Sequence, residues 1–304
     1  VLGIILLSIS LGVFWLQYHS IGRKNYVTLS GKGFEGRSTP LSLGLKITVV
    51  SIFAAWVGFN AVLYGSIFYG SGMQNWGGNH TFTLQHYITL FGQGWKNGAI
   101  PSLVQTVLFA VIAAPFTAMS GFLLAYFFSR HRFFGQKHIE FLTLLSFAVP
   151  GTVAGVSYIL AFNNVPLYLT GTGAIIVLSM VTRNMPIGLR AALVNFKQLD
   201  PALDEAAYSL KASAFQTLRF ITLPLLKPAL LSALVTSFVR AMTTISAIIF
   251  LVTPSTRVAT SFILNRVEDG DYGLAVAYGA SLIVIMMLVI GLFGRWVGET
   301  KLGR

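Results

Sequence analysis

The chain contains no cysteine, and acidic residues are scarce: 9 Asp and Glu among 304 residues. Without cysteine there can be no disulfides, zinc–thiolate sites, iron–sulfur clusters or thiol nucleophiles. Charged residues of both signs make up 10 % of the chain, against roughly 25 % in soluble domains. Hydrophobic residues make up 55 %, and the mean hydropathy is +0.73. This composition excludes a soluble globular protein and predicts an all-α, polytopic bundle of membrane-spanning helices.

Long apolar segments recur along the chain, and a bilayer-spanning helix needs about 20 such residues. The predicted spans are residues 1–17, 44–69, 102–128, 140–161, 173–194, 228–252 and 273–294. Lys and Arg are concentrated in alternate connections, which the positive-inside rule assigns to the cytoplasm. These predicted cytoplasmic connections are residues 18–43, 129–139 and 195–227. The net charge of +12 is therefore attributed to cytoplasmic loops and not to nucleic-acid binding.

The predicted cytoplasmic connection 195–227 is longer than the joining of two spans requires. Asp200 is a preferred N-cap residue, and Pro201 suits the first helical position. Pro224 and Pro228 interrupt helical structure at the far side of the connection. We therefore predict two short helices here, which form a docking surface for a soluble partner.

The run Glu205-Ala206-Ala207, with Leu223 and Pro224 following, resembles the EAA loop of permease subunits of binding-protein-dependent ABC importers of type I fold. In that family the short helix of the loop binds in a cleft of the ATPase. The family usually has Gly six residues after the Glu; here Lys211 stands there, and a positive φ costs Lys about 1 kcal/mol. The resemblance implies a set of ATPase-coupling residues. They are Asp204, Glu205, Ala206, Ala207, Ser213, Ala214, Phe215, Leu223 and Pro224.

The same resemblance implies the partners and the location of the chain. The partners are a cytoplasmic ABC ATPase dimer, a second permease half that is fused upstream or separate, a periplasmic or external substrate-binding protein, and membrane lipid. The location is the bacterial plasma (inner) membrane.

The chain would be a non-catalytic subunit without a cofactor of its own, because ATP and Mg bind to the ATPase. It indeed has no G-x-x-x-x-G-K-[ST] motif for binding ATP.

Residues 23–33, 237–252 and 263–273 further resemble the C-terminal half of fused permeases for ferric iron. Because the chain starts with Val inside an apolar run, we expect residues 1–17 to be the last span of a preceding half. Residues 18–43 would be a cytoplasmic linker, and residues 44–304 the permease domain with its coupling loop 195–227.

Two arginines fall near the middle of predicted spans, whereas all nine acidic residues lie outside the spans or at their ends. At about 1.5 Å per residue, Arg183 lies about 15 Å from the external end of its span, and Arg240 about 18 Å from the cytoplasmic end. A charge at that depth costs on the order of 2.5 kcal/mol and is usually paired or in a watery cavity. One interpretation is structural pairing, with backbone carbonyls or with a partner half. The other is a cationic pathway for an anion, with nearby hydroxyl donors: Arg183, Asn184, Arg240, Thr243, Thr244 and Ser246.

The charge pattern limits the cargo but leaves alternatives open. Bare Fe³⁺ needs anionic oxygen ligands, which the spans lack, so iron would pass as an anionic chelate. A phosphorylated sugar or a phosphonate fits equally well. A secondary transporter would carry Asp, Glu or His in its spans, and an intramembrane enzyme would carry a nucleophile–base pair or a metal motif. A channel would not explain the predicted helix pair in the connection 195–227.

Four histidines lie in predicted loops, where we expect solvation and no metal site: His80, His86, His131 and His138.

Overall fold

The computed structural model describes residues 2–21, 42–75, 77–92, 94–95, 98–131, 133–200 and 202–302. The first helices are α1 (Leu2–Ile21), α2 (Leu43–Ser71), α3 (Gln85–Phe91), α4 (Ala99–Arg130), α5 (Gln136–Ala148), α6 (Gly151–Phe162) and α7 (Gly173–Gln198). They are followed by α8 (Ala202–Ser209), α9 (Ala214–Thr217), α10 (Leu223–Leu225), α11 (Lys227–Thr243), α12 (Ala259–Glu268) and α13 (Tyr272–Leu302). The predicted all-α class is confirmed for these residues.

Three of the predicted spans are single helices long and apolar enough to cross a membrane, namely α2, α4 and α13. The predicted span 173–194 is also one helix, α7, which carries Arg183 and Arg190. Residues 2–17 of the predicted span 1–17 lie in α1, which continues to Ile21. Residues 22–41 of the predicted linker 18–43 lie outside the described residues.

Two predicted spans are not straight, continuous helices in the structure. Residues 140–161 fall on α5 and α6, which are bent by 105° relative to each other. The bend follows from Pro150, which disfavours helical backbone at the preceding Val149, whose ψ is 124°. The predicted span 228–252 ends early, because α11 stops at Thr243 and Thr244 is extended.

The end of α11 has a local cause in the sequence. The Thr243 hydroxyl donates to the carbonyl oxygen of Val239 at 3.1 Å, and the Thr244 hydroxyl donates to that of Arg240 at 2.6 Å. Such back-bonding competes with the helical ladder and bends helices, and Ile245 adds a third consecutive β-branched residue. The chain then runs without regular helix, apart from one 3₁₀ turn at Ile248–Phe250, until α12 begins.

Two hydrophobic clusters hold the bundle together, one at each end of α7. α7 contributes Ile175, Ile176 and Met180 to the first cluster, and Leu189, Ala192 and Phe196 to the second. Near the second cluster α4 and α7 approach closely, since a Cβ on Gly121 would lie 2.8 Å from the backbone nitrogen of Leu189. Between the two clusters, α7 carries the polar residues Arg183 and Asn184.

Candidate functional site

The residues predicted to form a pathway meet around one cavity between α7, the end of α11 and the segment that follows it. The cavity has a volume of 290 Å³ and is called the outer chamber below. Its lining consists of Arg183, Asn184, Arg240, Thr243, Thr244, Ile245 and Ser246. All six predicted residues are therefore brought together, although they lie on two segments far apart in the sequence.

The two arginines of the outer chamber have different surroundings. Arg183 is half-buried, and its guanidinium donates to the carbonyl oxygen of Val149 at 3.3 Å. That carbonyl is available because the helix α5 ends at the bend before Pro150. Arg240 is exposed, and its guanidinium has no hydrogen-bond or ion-pair partner in the part of the chain that the structure describes. A backbone carbonyl thus compensates Arg183, whereas Arg240 remains available to a ligand.

The hydroxyl groups of the outer chamber have partners within the chain. Those of Thr243 and Thr244 donate to backbone carbonyls of α11 in this structure. Ser246 is exposed and packs against the start of α6, where a Cβ on Gly151 would overlap its Oγ. That these hydroxyls serve an anion stays a prediction.

A second cavity, which sequence reasoning missed, lies between α7 and α11 and has a volume of 360 Å³. It shares Asn184 and Arg240 with the outer chamber and is called the inner groove below. Its other lining residues are Ile187, Gly188, Ala191 and Asn195 on α7, and Pro228, Ala229, Ser232, Ala233, Thr236 and Ser237 on α11. They recur every three or four residues on both helices, a spacing that could have indicated a shared face.

The loop between α7 and α11 begins as the sequence predicts. Asp200 caps the first short helix, since its Oδ1 accepts the backbone N–H of Ala202 at 2.9 Å. After α8 the chain turns at Lys211, whose φ is +58°, the only positive φ at a non-glycine residue in the described ranges. The left-handed turn expected from the family's glycine is therefore present, with a lysine in its place.

The second half of the loop leads directly into α11. Ser213 and Gln216 form a capping box at the start of α9, with the Gln216 N–H donating to Ser213 Oγ at 3.2 Å and the Ser213 N–H donating to Gln216 Oε1 at 2.7 Å. A π-helical turn, Leu218–Thr222, then joins α9 to α10. A bend of 75° separates Ala214–Leu225 from α11, the helix that carries Arg240.

The predicted coupling residues divide between an exposed and a packed set. The exposed members are Glu205, Ala206, Ser213, Ala214, Phe215 and Pro224. Ala207 is buried, and Leu223 packs against the second hydrophobic cluster. Asp204 forms an ion pair with Arg130 at the end of α4, at 2.8 Å between Oδ2 and Nε; the N–H is not aligned for a hydrogen bond.

Four large apolar side chains of the loop between α7 and α11 are highly exposed. Tyr208 is 77 % exposed, Leu210 83 %, and Phe215 and Phe220 66 % each. Exposed apolar groups of this size commonly mark a protein–protein contact. Sequence reasoning had selected only Phe215. Tyr208, Leu210, Phe220 and the ion-pair partner Arg130 carried no motif that would have identified them.

Comparison with known proteins finds one matching family model and a relative with high sequence identity. The family model described as "Binding-protein-dependent transport system inner membrane component" matches residues 99–299. The chain is 60 % identical over 301 residues to the ferric transport system permease protein FbpB of Actinobacillus pleuropneumoniae, covering 99 % of this chain and 44 % of that protein. It thus spans less than half the length of that relative.

A more distant relative and a solved structure extend the comparison. The sulfate transport system permease protein CysT of Salmonella typhimurium is 29 % identical over 231 residues, covering 70 % of this chain and 83 % of that protein. A bacterial ABC transporter that imports the acidic polysaccharide alginate has a similar structure, with a TM-score of 0.68 at 16 % identity, covering 83 % of this chain and 95 % of that chain. The structural likeness establishes a shared fold.

Proposed function

The chain belongs to the family of binding-protein-dependent transport system inner membrane components, and from this premise we propose that it is one half of the permease of an ATP-driven importer for an anionic solute. It is a multi-pass membrane protein and the non-catalytic part of such a system. The proposed site of action is the bacterial inner membrane. A binding protein would deliver the solute from outside, and a separate ATPase dimer would supply the energy.

The outer chamber is the observation that carries the proposal for an anion. Two permanently charged guanidinium groups line one cavity of 290 Å³, and no Asp or Glu among the described residues lies within ion-pair distance of either. A cation deep in a membrane span without a carboxylate is costly, and an anion inside the cavity would offset part of that cost. The charge therefore favours anionic cargo over a bare metal cation.

A ferric chelate is the proposed cargo, because a relative at 60 % identity is described as a ferric transport permease. Iron would have to pass with its anionic ligands, since the outer chamber offers cations and hydroxyl oxygens but no carboxylate. A phosphorylated sugar or a phosphonate remains the second candidate, because its charge fits the same two arginines. The two candidates differ in chemistry and can be separated by uptake assays.

The loop supports the proposed contact with an ATPase. Four large apolar side chains and the exposed Glu205 lie on a segment that leads directly into α11. The separate ATPase is also needed because this chain has no nucleotide-binding motif. In this proposal, ATPase closure moves the segment Ala214–Leu225, and the bend before α11 transmits that movement to the cavity.

The test is ATP-dependent uptake by the complete transporter in proteoliposomes, with both permease halves, the ATPase and the binding protein. The probes are radioactive ferric citrate and glucose-6-phosphate, supplied separately. We expect uptake of ferric citrate that requires ATP and the binding protein. Uptake of only glucose-6-phosphate would show that the cargo is a phosphorylated sugar and not a ferric chelate. Equal uptake without ATP or without the ATPase would contradict the importer itself.

A further inference from the structure

The connection between α4 and α5, residues 131–135, carries a fully exposed aromatic side chain and is called the α4–α5 turn below. Phe134 is 105 % exposed, more than any other large hydrophobic side chain in the described part of the chain. Its neighbour Phe133 packs on the protein, since its ring centroid lies 6.3 Å from that of Phe128 on α4. Of two adjacent phenylalanines, one thus contacts the bundle and the other projects from it.

Hydrogen bonds on both sides of Phe134 define the shape of the turn. Gln136, at the start of α5, donates its Nε2–H to the carbonyl oxygen of Phe128 at 2.6 Å. Its backbone N–H donates to the carbonyl oxygen of Phe133 at 3.3 Å. Between them Gly135 has a φ of +82°, which favours glycine. The exposed ring is therefore held by a defined turn.

The length of α4 places the turn at the membrane surface. Its 32 residues extend about 48 Å at about 1.5 Å per residue, and a bilayer with its headgroups is about 40–45 Å thick. Arg130 at the end of α4 therefore lies at headgroup level, and a connection that returns at once to α5 stays within about 10 Å of it. The flanking helices expose Phe127, Ile139 and Leu142, as spanning helices do towards acyl chains. Phe134 thus lies beside lipid.

The charge around the turn complements an anionic headgroup. By sequence, residues 130–138 contain Arg130, Arg132 and Lys137 but no Asp or Glu. Arg130 forms the ion pair with Asp204. Lys137 is exposed, and no carboxylate of the described residues lies within ion-pair distance of it. The cytoplasmic surface of a membrane is negative and attracts each nearby Lys or Arg, so Lys137 is available to a lipid phosphate.

We propose that the α4–α5 turn is a binding site for an anionic phospholipid of the cytoplasmic leaflet. The ring of Phe134 inserts among the acyl chains next to the headgroups, and the ammonium of Lys137 pairs with the phosphate. Burial of apolar area and attraction to headgroup charge are the two interactions that hold amphipathic segments on anionic membranes. Because Arg130 joins the end of α4 to Asp204 on α8, the lipid anchors the helix end to which the loop is attached. The site is independent of the identity of the cargo.

The experiment introduces the photo-crosslinking amino acid p-benzoylphenylalanine into the complete transporter, in bilayers of equal parts phosphatidylcholine and phosphatidylglycerol. Phe134→p-benzoylphenylalanine probes the turn. The matched control is the same replacement of Phe220, an exposed phenylalanine on the loop proposed to contact the ATPase. After illumination the intact complex is isolated, and adducts are identified by mass. We expect phospholipid adducts at Phe134, with phosphatidylglycerol in excess, and an ATPase adduct at Phe220.

The role of the charge is tested by adding Lys137→Gln to the crosslinking form at Phe134. Removal of one cation beside an anionic surface should lower the excess of phosphatidylglycerol adducts about fivefold. The control is Arg219→Gln, which removes an exposed cation from the loop between α7 and α11. We expect it to leave the excess unchanged, because Arg219 lies outside the α4–α5 turn.

Four results would overturn the lipid site. An adduct of Phe134 with the ATPase or another subunit would make the turn a protein contact, and the absence of any adduct would place the ring in water. Equal yields of the two lipids, or an excess that Lys137→Gln leaves unchanged, would show that the turn does not recognise anionic headgroups. A missing ATPase adduct at Phe220 would instead contradict the proposed ATPase contact, while lipid adducts at Phe134 would still support the site.

Discussion

Arginine is used differently at the loop end of the molecule and in the outer chamber. At the loop end, Arg130 faces the carboxylate of Asp204 at 2.8 Å and ties the end of α4 to the first turn of α8. In the outer chamber, Arg183 has only the Val149 carbonyl, and Arg240 has no partner within the described residues. The paired Arg130 joins two helices, whereas Arg240 is available to a ligand. Substitutions at the two regions should therefore separate stability from transport.

The largest effect is expected at the loop, from Glu205→Arg. Reversing an exposed charge at a protein contact costs several kcal/mol when it faces a like charge. We expect uptake to be abolished and ATP hydrolysis to become independent of the binding protein, while the unfolding midpoint stays constant. Glu205→Gln serves as the neutral comparison, with a smaller loss. Unchanged uptake and stimulated hydrolysis in Glu205→Arg would rule out docking at this residue.

The next effect is expected in the outer chamber, from Arg240→Gln. Loss of one hydrogen bond between charged groups is worth about 1.5–3 kcal/mol, which corresponds to at least about tenfold in uptake. Stability should change by less than about 0.5 kcal/mol, because the side chain is exposed. The control is Arg190→Gln, an exposed arginine of α7 that lines neither cavity. Equal uptake by both variants and the parent would leave Arg240 without a role in transport.

The paired arginine should show the opposite pattern. Arg130→Gln is expected to lower the free energy of unfolding by about 1–2 kcal/mol, between the values for exposed and buried ion pairs, since the Arg130 side chain is 15 % exposed and that of Asp204 30 %. Thermal unfolding measures the loss. Exchange of the two residues, Arg130→Asp with Asp204→Arg, should restore part of it. A double variant less stable than either single variant would show that the pair does not interact.

The smallest effect is expected from Lys211→Gly in the turn between α8 and α9. Relief of the left-handed backbone is worth about 1 kcal/mol, and the added freedom of the unfolded chain offsets about half of it. The expected net gain is about 0.5 kcal/mol, with uptake unchanged. Lys211→Ala retains a Cβ and should gain nothing, so an equal gain in both variants would attribute the effect to the lysine charge.

The sequence predicted those features that local chemistry determines. The N-cap at Asp200 follows from a few neighbouring residues, whereas the left-handed turn at position 211 and the place of Phe215 in the loop were implied by the resemblance to the EAA loop. The outer chamber was predictable from a different signal, because a permanent charge deep in a span needs a polar environment wherever it lies. Neither inference required knowledge of which helices pack together.

Features that depend on tertiary structure were not predictable in the same way. Apolar composition extends across Pro150 and across Thr243 without interruption, so it predicts neither the size of the bend between α5 and α6 nor the early end of α11. The bond from Arg183 to Val149 and the ion pair of Arg130 with Asp204 join residues distant in sequence. The inner groove likewise exists only because α7 and α11 lie side by side.

The glycines at the start of α6 determine which parts of the chamber wall are able to separate. A Cβ on Gly155 would lie 2.5 Å from the carbonyl oxygen of Ala247, and one on Gly151 would overlap Ser246. α6 and residues 246–250 are thus in close contact, while α7 and α11 have the inner groove between them. Distances between α6 and residues 246–250 should stay constant through a transport cycle, and distances from them to α11 should change. Because the chain has no cysteine, pairs of introduced cysteines carrying spin labels would report both distances without background.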